Sequence, residues 1–183
     1  MWWGTWGMIA IEGTVFALTI ATYFYLRGQG TQWPIAEPPP DLLWGTLNVL
    51  VFLASAVPNQ AAKRAAERYD LAGARRATLG CAALGMVLLI LRVFEFRHLN
   101  CRWDTDAYGS VVWALLGFHT AHLLTDWLDT AVLGVMLCTG PIEGKRYVDV
   151  SENAMYWYFV LASWLPIYGV IYWVPRLPPV LSP

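Results

Sequence analysis

The most constraining feature of this chain is a set of five apolar stretches, each long enough to cross a lipid bilayer as a helix. They cover residues 8–26, 42–57, 77–96, 107–138 and 153–174. A spanning helix needs about 20 mainly apolar residues, because lipid offers no hydrogen-bond partner to an unpaired backbone amide. Only 14% of the residues are charged, against about 25% in an average soluble domain. The sequence therefore predicts an all-α, polytopic membrane bundle of five transmembrane helices, forming a single domain over residues 1–183.

The second and fourth stretches are expected to extend beyond the hydrocarbon layer. Pro58 should kink the second helix, because proline removes a backbone donor and crowds the preceding turn. The residues that follow, AAKRAAERY, are strong helix formers that carry charge into water. The fourth stretch is long enough either to tilt within the bilayer or to protrude from it.

The distribution of Lys and Arg predicts the orientation, because these residues are retained on the cytoplasmic side more often than they are translocated. The connections after the second and fourth stretches together hold seven of them, namely Lys63, Arg64, Arg68, Arg75, Arg76, Lys145 and Arg146. The opposite side holds four, namely Arg27, Arg97, Arg102 and Arg176. We therefore expect a cytoplasmic N-terminus and an outer C-terminus, with interfacial anchors at Trp2, Trp3, Trp6 and Trp173.

Charge and cysteine content exclude several classes of protein. The formal net charge of -1 leaves no basic surface that could neutralise a nucleic-acid backbone, so nucleic acid is not an expected partner. The three cysteines are Cys81, Cys101 and Cys138. Their number is odd and they lack the C-x-x-C spacing, so neither a disulfide framework nor a thiolate metal site is expected.

Candidate functional residues are the polar side chains inside the predicted spans, since a charge there costs about 2.5 to 3.5 kcal/mol on insertion scales. They are Glu12 in the first span, Arg92 and Glu95 in the third, and His119, His122, Asp126 and Asp129 in the fourth. At about 100° per residue the last four fall within an arc of about 80°, which predicts one polar stripe along that helix. Arg92 and Glu95 are spaced so that each can neutralise the other.

Each of these residues has more than one interpretation. A His-x-x-His pair with nearby aspartates is compatible with a metal site. We favour hydrogen bonds instead, above all between His122 and Asp126, because di-metal bundles draw their ligands from several helices and this stripe lies on one. Glu12 is either a proton-exchanging carboxyl or a structural hydrogen-bond acceptor, and the sequence leaves both open. Arg92 is interpreted as structural, paired with Glu95 or with another intramembrane carboxylate.

Two motifs in the fourth span point to a known family. The run Asp106-Ala107-Tyr108-Gly109-Ser110, followed by Gly117-Phe118-His119-Thr120-Ala121-His122, resembles the D-x-Y-G-S and G-x-H-x-x-H signature of subunit III of haem-copper oxidases. Weaker similarities continue along the chain in the family's order. They are the Glu12 position, Trp33-Pro34, Thr46-Leu47-Asn48, Leu53-Ala54-Ser55, Glu95-Phe96, Tyr156 to Val160, Trp164 and Tyr168.

The chain also departs from the family pattern. The resemblance begins at the third of the family's usual seven helices, so the chain looks like the five-helix form seen in quinol-oxidase-type members. Removing two helices preserves the orientation that the charge count predicts independently. Four positions differ from the residue that is common in the family. Arg92 replaces a glutamine and Asp126 a glycine, while Tyr158 replaces a histidine and Leu161 an aspartate.

The resemblance implies an accessory subunit without a cofactor of its own. Such a subunit would pack on the catalytic subunit I beside subunit II, stabilise it, hold phospholipids and support proton uptake, in a bacterial inner membrane. By this resemblance we expect proton-related roles or lipid and subunit contacts at Glu12, Glu95, His119 and His122. An intramembrane polar network is expected at Arg92, Asp126 and Asp129. Two alternatives stay open, an accessory subunit of a nitric oxide reductase-type complex and a stand-alone metal-binding membrane enzyme.

Overall fold

The computed structural model describes residues 2–30, 32–35, 38–140 and 144–177. Within these ranges all regular structure is helical. Five helices follow one another along the chain, α1 Trp2–Gln29, α2 Leu42–Glu67, α3 Leu71–Arg97, α4 Ala107–Thr139 and α5 Gly144–Tyr168. Beyond α5 the backbone continues as a π-helical turn, Gly169–Trp173, and a 3-10 turn, Val174–Arg176. All 5 helices are long and apolar enough to cross a membrane, which confirms the predicted fold class.

The helix ends follow the predicted spans closely in some places and not in others. α4 begins at the predicted residue, and α2 continues through Pro58 to Glu67 as expected. In contrast, α3 begins at Leu71 rather than at residue 77, and α5 begins at Gly144 rather than at residue 153. Both additional segments carry charged residues. Hydropathy marks the part of a helix that contacts lipid, whereas polar helix-forming residues prolong it into water.

The five helices do not contribute equally to the core. α2 packs against α3 and α5, and α4 also packs against α3 and α5, so these four helices enclose a common centre. Large apolar side chains fill that centre, including Phe52, Leu88, Leu116, Trp157 and Trp164. α1 packs against α4 and α5 from the outside and is the least buried of the five.

Most apolar side chains of α1 therefore face away from the bundle. The exposed ones are Trp3, Trp6, Met8, Ile11, Val15, Leu18, Phe24 and Tyr25. Three of the predicted interfacial anchors, Trp3, Trp6 and Trp173, are more than half exposed. The side chain of Trp2, the fourth, lies outside the described part of the structure. In a membrane-spanning chain such a surface faces lipid or another membrane protein.

The D-x-Y-G-S motif forms the start of α4. The Asp106 carboxylate accepts a hydrogen bond of 2.6 Å from the backbone N–H of Gly109, which caps the helix. A Cβ at Gly109 would lie 2.0 Å from the carbonyl oxygen of Arg102, so only glycine fits there. The Ser110 hydroxyl donates to the Trp103 carbonyl at 2.7 Å. The motif thus fixes the entry of the chain into α4.

Some of the glycines in the helices allow a neighbouring element to pack closely, and others do not. A Cβ at Gly85 in α3 would lie 2.6 Å from the Trp127 ring and 3.0 Å from the Trp157 ring, so this glycine lets two indoles approach α3. A Cβ at Gly45 in α2 would likewise lie 2.5 Å from the Tyr172 ring. In contrast, a Cβ at Gly117 would have no described atom within 4 Å, and one at Gly80 would make only an ordinary contact at 3.6 Å. Close packing is therefore a property of Gly45 and Gly85 and not of every glycine in the spans.

Candidate functional site: polar groups inside the bundle

A central polar network lies between four of the helices. We define it as Arg92 and Glu95 from α3, Asn48 from α2, His119 from α4 and Tyr172 from the π-helical turn. The ion pair predicted between Arg92 and Glu95 is present, with Nη1 and Oε2 at 2.7 Å. The same Oε2 accepts from Asn48 Nδ2 at 2.7 Å, and Oε1 accepts from the Tyr172 hydroxyl at 2.5 Å. Glu95 therefore receives donors from three separate elements.

His119 extends this network to α4 and α5. Arg92 Nη2 donates to His119 Nδ1 at 3.1 Å, and His119 Nε2 lies 2.9 Å from the carbonyl oxygen of Val160. Since a guanidinium only donates and a carbonyl only accepts, the imidazole is neutral with its proton on Nε2. Its ring contacts Phe52 and Trp164 at centroid distances of 5.7 and 4.9 Å. The Arg92 guanidinium carbon also lies 4.0 Å from the centre of the Trp164 ring.

The central network is buried and neutral overall. Arg92 and Glu95 are each 1% exposed, and His119 and Asn48 are 0% exposed. The positive guanidinium and the negative carboxylate compensate each other, and each is bonded to further neutral groups. Removing one member of such a buried pair usually costs about 3–5 kcal/mol, because the remaining charge loses its partner. The arrangement thus ties α2, α3, α4 and the end of α5 together.

A second polar cluster lies where α1 meets α4 and α5. The Tyr156 hydroxyl donates to Glu12 Oε2 at 2.6 Å, and His122 Nε2 lies 3.6 Å from Glu12 Oε1. His122 Nδ1 lies 2.6 Å from the carbonyl oxygen of Phe118. Because that carbonyl only accepts, Nδ1 carries a proton and Nε2 is left to face the carboxyl group. At 3.6 Å the imidazole and the carboxyl group are near neighbours just beyond hydrogen-bonding distance.

The predicted hydrogen bond between His122 and Asp126 is wrong. His122 bonds the backbone of its own helix through one ring nitrogen and faces Glu12 of α1 with the other. Both carboxyl oxygens of Asp126 lack a hydrogen-bond partner among the described residues. Spacing along a helix shows which residues share a face, but the rotamer and the neighbouring helix decide which side chains meet.

The predicted polar stripe of α4 is divided between different surroundings. His119 belongs to the central network and His122 to the cluster with Glu12. Asp126 is 3% exposed, and neither of its carboxyl oxygens bonds Arg92 or any other described residue. Asp129, in contrast, is exposed and accepts from Asn153 Nδ2 at 3.4 Å. Arg92, Asp126 and Asp129 therefore do not form the single intramembrane network that the sequence predicted.

Asp126 and Asp129 line an open cleft between α1, α4 and α5. Its volume is about 610 Å³. Three further carboxyl groups line it, from Glu12, Asp149 and Glu152. In the described part of the chain, no three of His, Cys, Asp and Glu stand close enough together to hold a metal ion. The acidic groups of the cleft are thus spread along its walls.

The motifs that carry the family resemblance meet one another in space. Asn48 of the Thr46-Leu47-Asn48 motif bonds Glu95 of the third span. Ser55 accepts from the Trp157 indole at 2.9 Å, and the hydroxyls of Thr46 and Tyr168 are 2.7 Å apart. Trp33 packs edge-on against Tyr23 and Tyr108, at centroid distances of 5.2 and 5.1 Å. Segments distant in sequence thus form the helix–helix contacts of one bundle.

Sequence reasoning missed Tyr172 as a partner of Glu95. No local signal marks it, because its position depends on the π-helical turn that follows α5. Tyr156 and Asn153 were likewise not singled out as partners of Glu12 and Asp129. Both lie on α5, in the part of the chain that faces the cleft. Only the packing of α5 against α4 and α1 reveals these contacts.

Comparison with known proteins identifies the family. The sequence matches the family model described as Cytochrome c oxidase subunit III over residues 9–175. The chain belongs to this family. A probable cytochrome c oxidase subunit 3 of Mycobacterium bovis is 32% identical over 182 residues, which cover 93% of this chain and 86% of that protein. The cytochrome c oxidase subunit 3 of Thermostichus vulcanus is 27% identical over 168 residues, covering 90% and 83%.

A third relative has the same name as these two and a similar coverage. The cytochrome c oxidase subunit 3 of Corynebacterium diphtheriae is 27% identical over 177 residues, covering 93% of this chain and 86% of that protein. The resemblance drawn from the motifs is therefore confirmed. Membership of the cytochrome c oxidase subunit III family makes this chain a multi-pass membrane protein and an accessory subunit of a haem-copper terminal oxidase. It also implies association with the catalytic subunits of such an oxidase.

Proposed function

We propose that this chain packs on catalytic subunit I, beside subunit II, of a bacterial terminal oxidase and stabilises it in the inner membrane. The observation that carries the proposal is the central network, in which buried polar groups bond one another across four helices. These groups are engaged in holding the bundle together, as expected of a rigid supporting subunit. α1 packs against α4 and α5, which take part in the network, and we propose that the five helices act as a single domain.

The orientation follows the basic residues. Because successive membrane-spanning helices alternate in direction, we expect the connections from α2 to α3 and from α4 to α5 at the same end of the bundle as the start of α1. That end carries most of the Lys and Arg residues outside the spans. We propose that it is cytoplasmic and that the C-terminus is outside. Fusing a reporter that works on only one side of the membrane to either terminus tests this directly.

The cluster of Glu12, His122 and Tyr156 supports a proton-related role. The carboxyl and the imidazole face each other at 3.6 Å, and both belong to residue types that exchange protons in membrane proteins. Glu12 also borders the cleft, so the pair lies beside a space open to the surroundings. We propose that this cluster exchanges protons on behalf of the complex without taking part in oxygen reduction. The exposed apolar face of α1 supports contact with phospholipids and with the partner subunits.

The deciding experiment is purification of the tagged full chain in a mild detergent, with mass spectrometry of its partners and a haem absorption spectrum. We expect a haem-bearing subunit and a subunit II to co-purify in fixed ratio. Oxygen consumption by the purified complex, compared with consumption of nitric oxide, distinguishes an oxidase from a reductase. The relatives favour the oxidase, since the three compared above are named cytochrome c oxidase subunits. A chain that purifies alone and carries its own redox centre would overturn the proposal.

A further inference from the structure

We propose that the cleft between α1, α4 and α5 receives an arginine or lysine side chain from a transmembrane helix of a partner subunit, and that this side chain pairs with Asp126. The inference deepens the packing role proposed above and rests on it. It assigns that role to one face of the bundle. It also names the partner by its chemistry, as a membrane-spanning segment with a basic side chain at the depth of Asp126.

Asp126 is a buried carboxyl group that the described chain leaves without a partner. Its side chain borders the cleft, yet the residue is only 3% exposed. Neither of its carboxyl oxygens has a hydrogen-bond partner among the described residues. Buried polar groups are normally satisfied, because an unpaired one loses its bonds to water without replacement. A donor that enters the cleft would supply the bond that Asp126 lacks.

The position of Asp126 along α4 places it inside the hydrocarbon layer. At about 1.5 Å per residue, it lies about 20 Å from the end of the helix at Thr139 and about 29 Å from its start at Ala107. A hydrocarbon core about 30 Å thick, centred on α4, leaves about 10 Å of the helix outside on each side. Asp126 is therefore well below the level of lipid headgroups and of loops. A protein donor at this depth belongs to a segment that itself crosses the membrane.

The charge of the cleft favours a cation over a neutral donor. Five carboxyl groups line it, from Glu12, Asp126, Asp129, Asp149 and Glu152. Arg146 is the one Lys or Arg among the described lining residues. Water in the cleft can bond a carboxyl group but does not balance an excess of negative charge. A metal ion fits poorly, since no three potential ligands among the described residues stand close enough together to hold one.

The arginines closest to the cleft are engaged elsewhere. Arg146 pairs with Asp149 at 3.5 Å and lies 3.4 Å from the sulfur of Met136. Along α4, Met136 is about 15 Å from Asp126. Arg92 is held in the central network by its bonds to α3 and α4. The described part of the chain therefore leaves no cation for Asp126, and an external one is needed.

A second copy of this chain cannot supply that cation. Arg92 is the only Lys or Arg within the five apolar stretches of the sequence. It is buried and already paired with Glu95. Every other Lys or Arg lies in a connection or near an end of the chain, outside the apolar stretches. The partner is therefore a different membrane protein, as a subunit of the same complex would be.

Two apolar stripes beside the cleft offer such a helix a surface for packing. They consist of Leu128, Val132 and Val135 on α4, and of Met8, Ile11 and Val15 on α1. All six side chains are exposed. Their spacing of three and four residues places each set along one side of its helix. Because Val132 and Met8 also line the cleft, both stripes adjoin it.

The size of the cleft fits one long side chain rather than a whole helix. Its volume is about 610 Å³, whereas a spanning helix is about 10 Å across and about 30 Å long, which is several times that volume. Arginine and lysine carry their charge at the end of a flexible apolar stem. A helix packed on the stripes can therefore extend such a stem into the cleft. The guanidinium or ammonium then offers several N–H donors to the carboxylate.

Cross-linking from the rim of the cleft identifies the occupant. The photoreactive amino acid benzoylphenylalanine is placed at Val132, which is exposed beside the cleft. Membranes that contain the full complex are illuminated, and the captured segment is identified by mass spectrometry after purification. We expect an apolar segment of a partner subunit with an arginine or lysine inside its membrane span. The same reagent at Ile90, which is exposed on α3, is the control and should not capture that segment.

The Asp126→Asn variant tests the charge, because it keeps the size of the side chain. Removing one partner of a buried charge pair acts mainly on dissociation, by a factor of about thirty or more. We therefore expect the captured subunit to leave the purified complex at least about thirtyfold faster on dilution in detergent. Asp129→Asn, which changes an exposed carboxylate one turn away, is the matched control and should alter the rate by less than about twofold. Asp126→Lys, combined with an aspartate in place of the partner's basic residue, should restore slow dissociation.

Capture of lipid alone from Val132, or of a protein segment without a basic residue in its span, would overturn the inference. So would unchanged dissociation in Asp126→Asn, or an equal acceleration by Asp129→Asn. If Asp126→Asn does not assemble, the cross-link formed with the unaltered carboxylate decides alone. The haem spectrum separates the two proposals. A complex that contains haem but yields no such segment refutes this inference only, whereas a chain without a haem-bearing partner refutes the proposed function.

Discussion

Replacing Arg92 with methionine should destabilise the isolated chain strongly, because it removes one half of a buried ion pair. The guanidinium bonds Glu95 at 2.7 Å and His119 at 3.1 Å, and it lies 4.0 Å from the centre of the Trp164 ring. Without it, the donors left to Glu95 among the described residues are Asn48 and Tyr172, and Glu95 is only 1% exposed to solvent. We expect a loss of about 3–5 kcal/mol in the free energy of unfolding.

The assay is unfolding of the purified chain by increasing the fraction of a denaturing detergent in mixed micelles, followed by tryptophan fluorescence. A double-mutant cycle provides the control. Arg92→Gln and Glu95→Gln should each be costly, whereas the double variant should cost less than their sum by about 2 kcal/mol or more, because two neutral amides leave no buried charge. If the two single effects add within about 0.5 kcal/mol, Arg92 and Glu95 are not energetically coupled and the reasoning fails.

Further predictions concern the start of α4 and the two histidine sites. Gly109→Ala should prevent normal folding of the α4 N-terminus, because its Cβ would lie 2.0 Å from the Arg102 carbonyl oxygen. Asp106→Ala removes only the helix cap and should lower the free energy of unfolding by about 1 kcal/mol. Thermal unfolding of the complex should therefore show the larger loss of stability for Gly109→Ala. Glu12→Gln should change turnover of the complex, or its durability during turnover, modestly, and complete inactivity with assembly intact would contradict an accessory role. His119→Ala should weaken assembly in detergent while the metal content of the purified chain stays unchanged, measured by elemental analysis.

Local sequence patterns predicted the helices and the pairing within one helix, but not the contacts between helices. Arg92 and Glu95 are three positions apart on α3, so helical geometry alone brings them together. The same argument pairs His122 with Asp126, and there it fails because α1 places Glu12 beside His122 instead. Tyr172 reaches Glu95 across 77 positions of sequence through an irregular turn. Contacts of that kind follow from packing, which spacing within a segment does not encode.

The two polar sites differ in a way that assigns them different tasks. The central network balances Arg92 against Glu95, so the pair is neutral overall and closed to solvent, although Arg92 Nε and Asn48 Oδ1 have no hydrogen-bond partner among the described residues. The cleft holds an excess of carboxyl groups, and Asp126 on its wall has no partner among the described residues. An unpaired charge at membrane depth costs about 2.5–3.5 kcal/mol or more, so a buried pair whose charges compensate each other suits a structural role better than the carboxyl groups of the cleft do. We therefore assign the supporting role to the network, and the proposed proton exchange to the Glu12 cluster at the edge of the cleft.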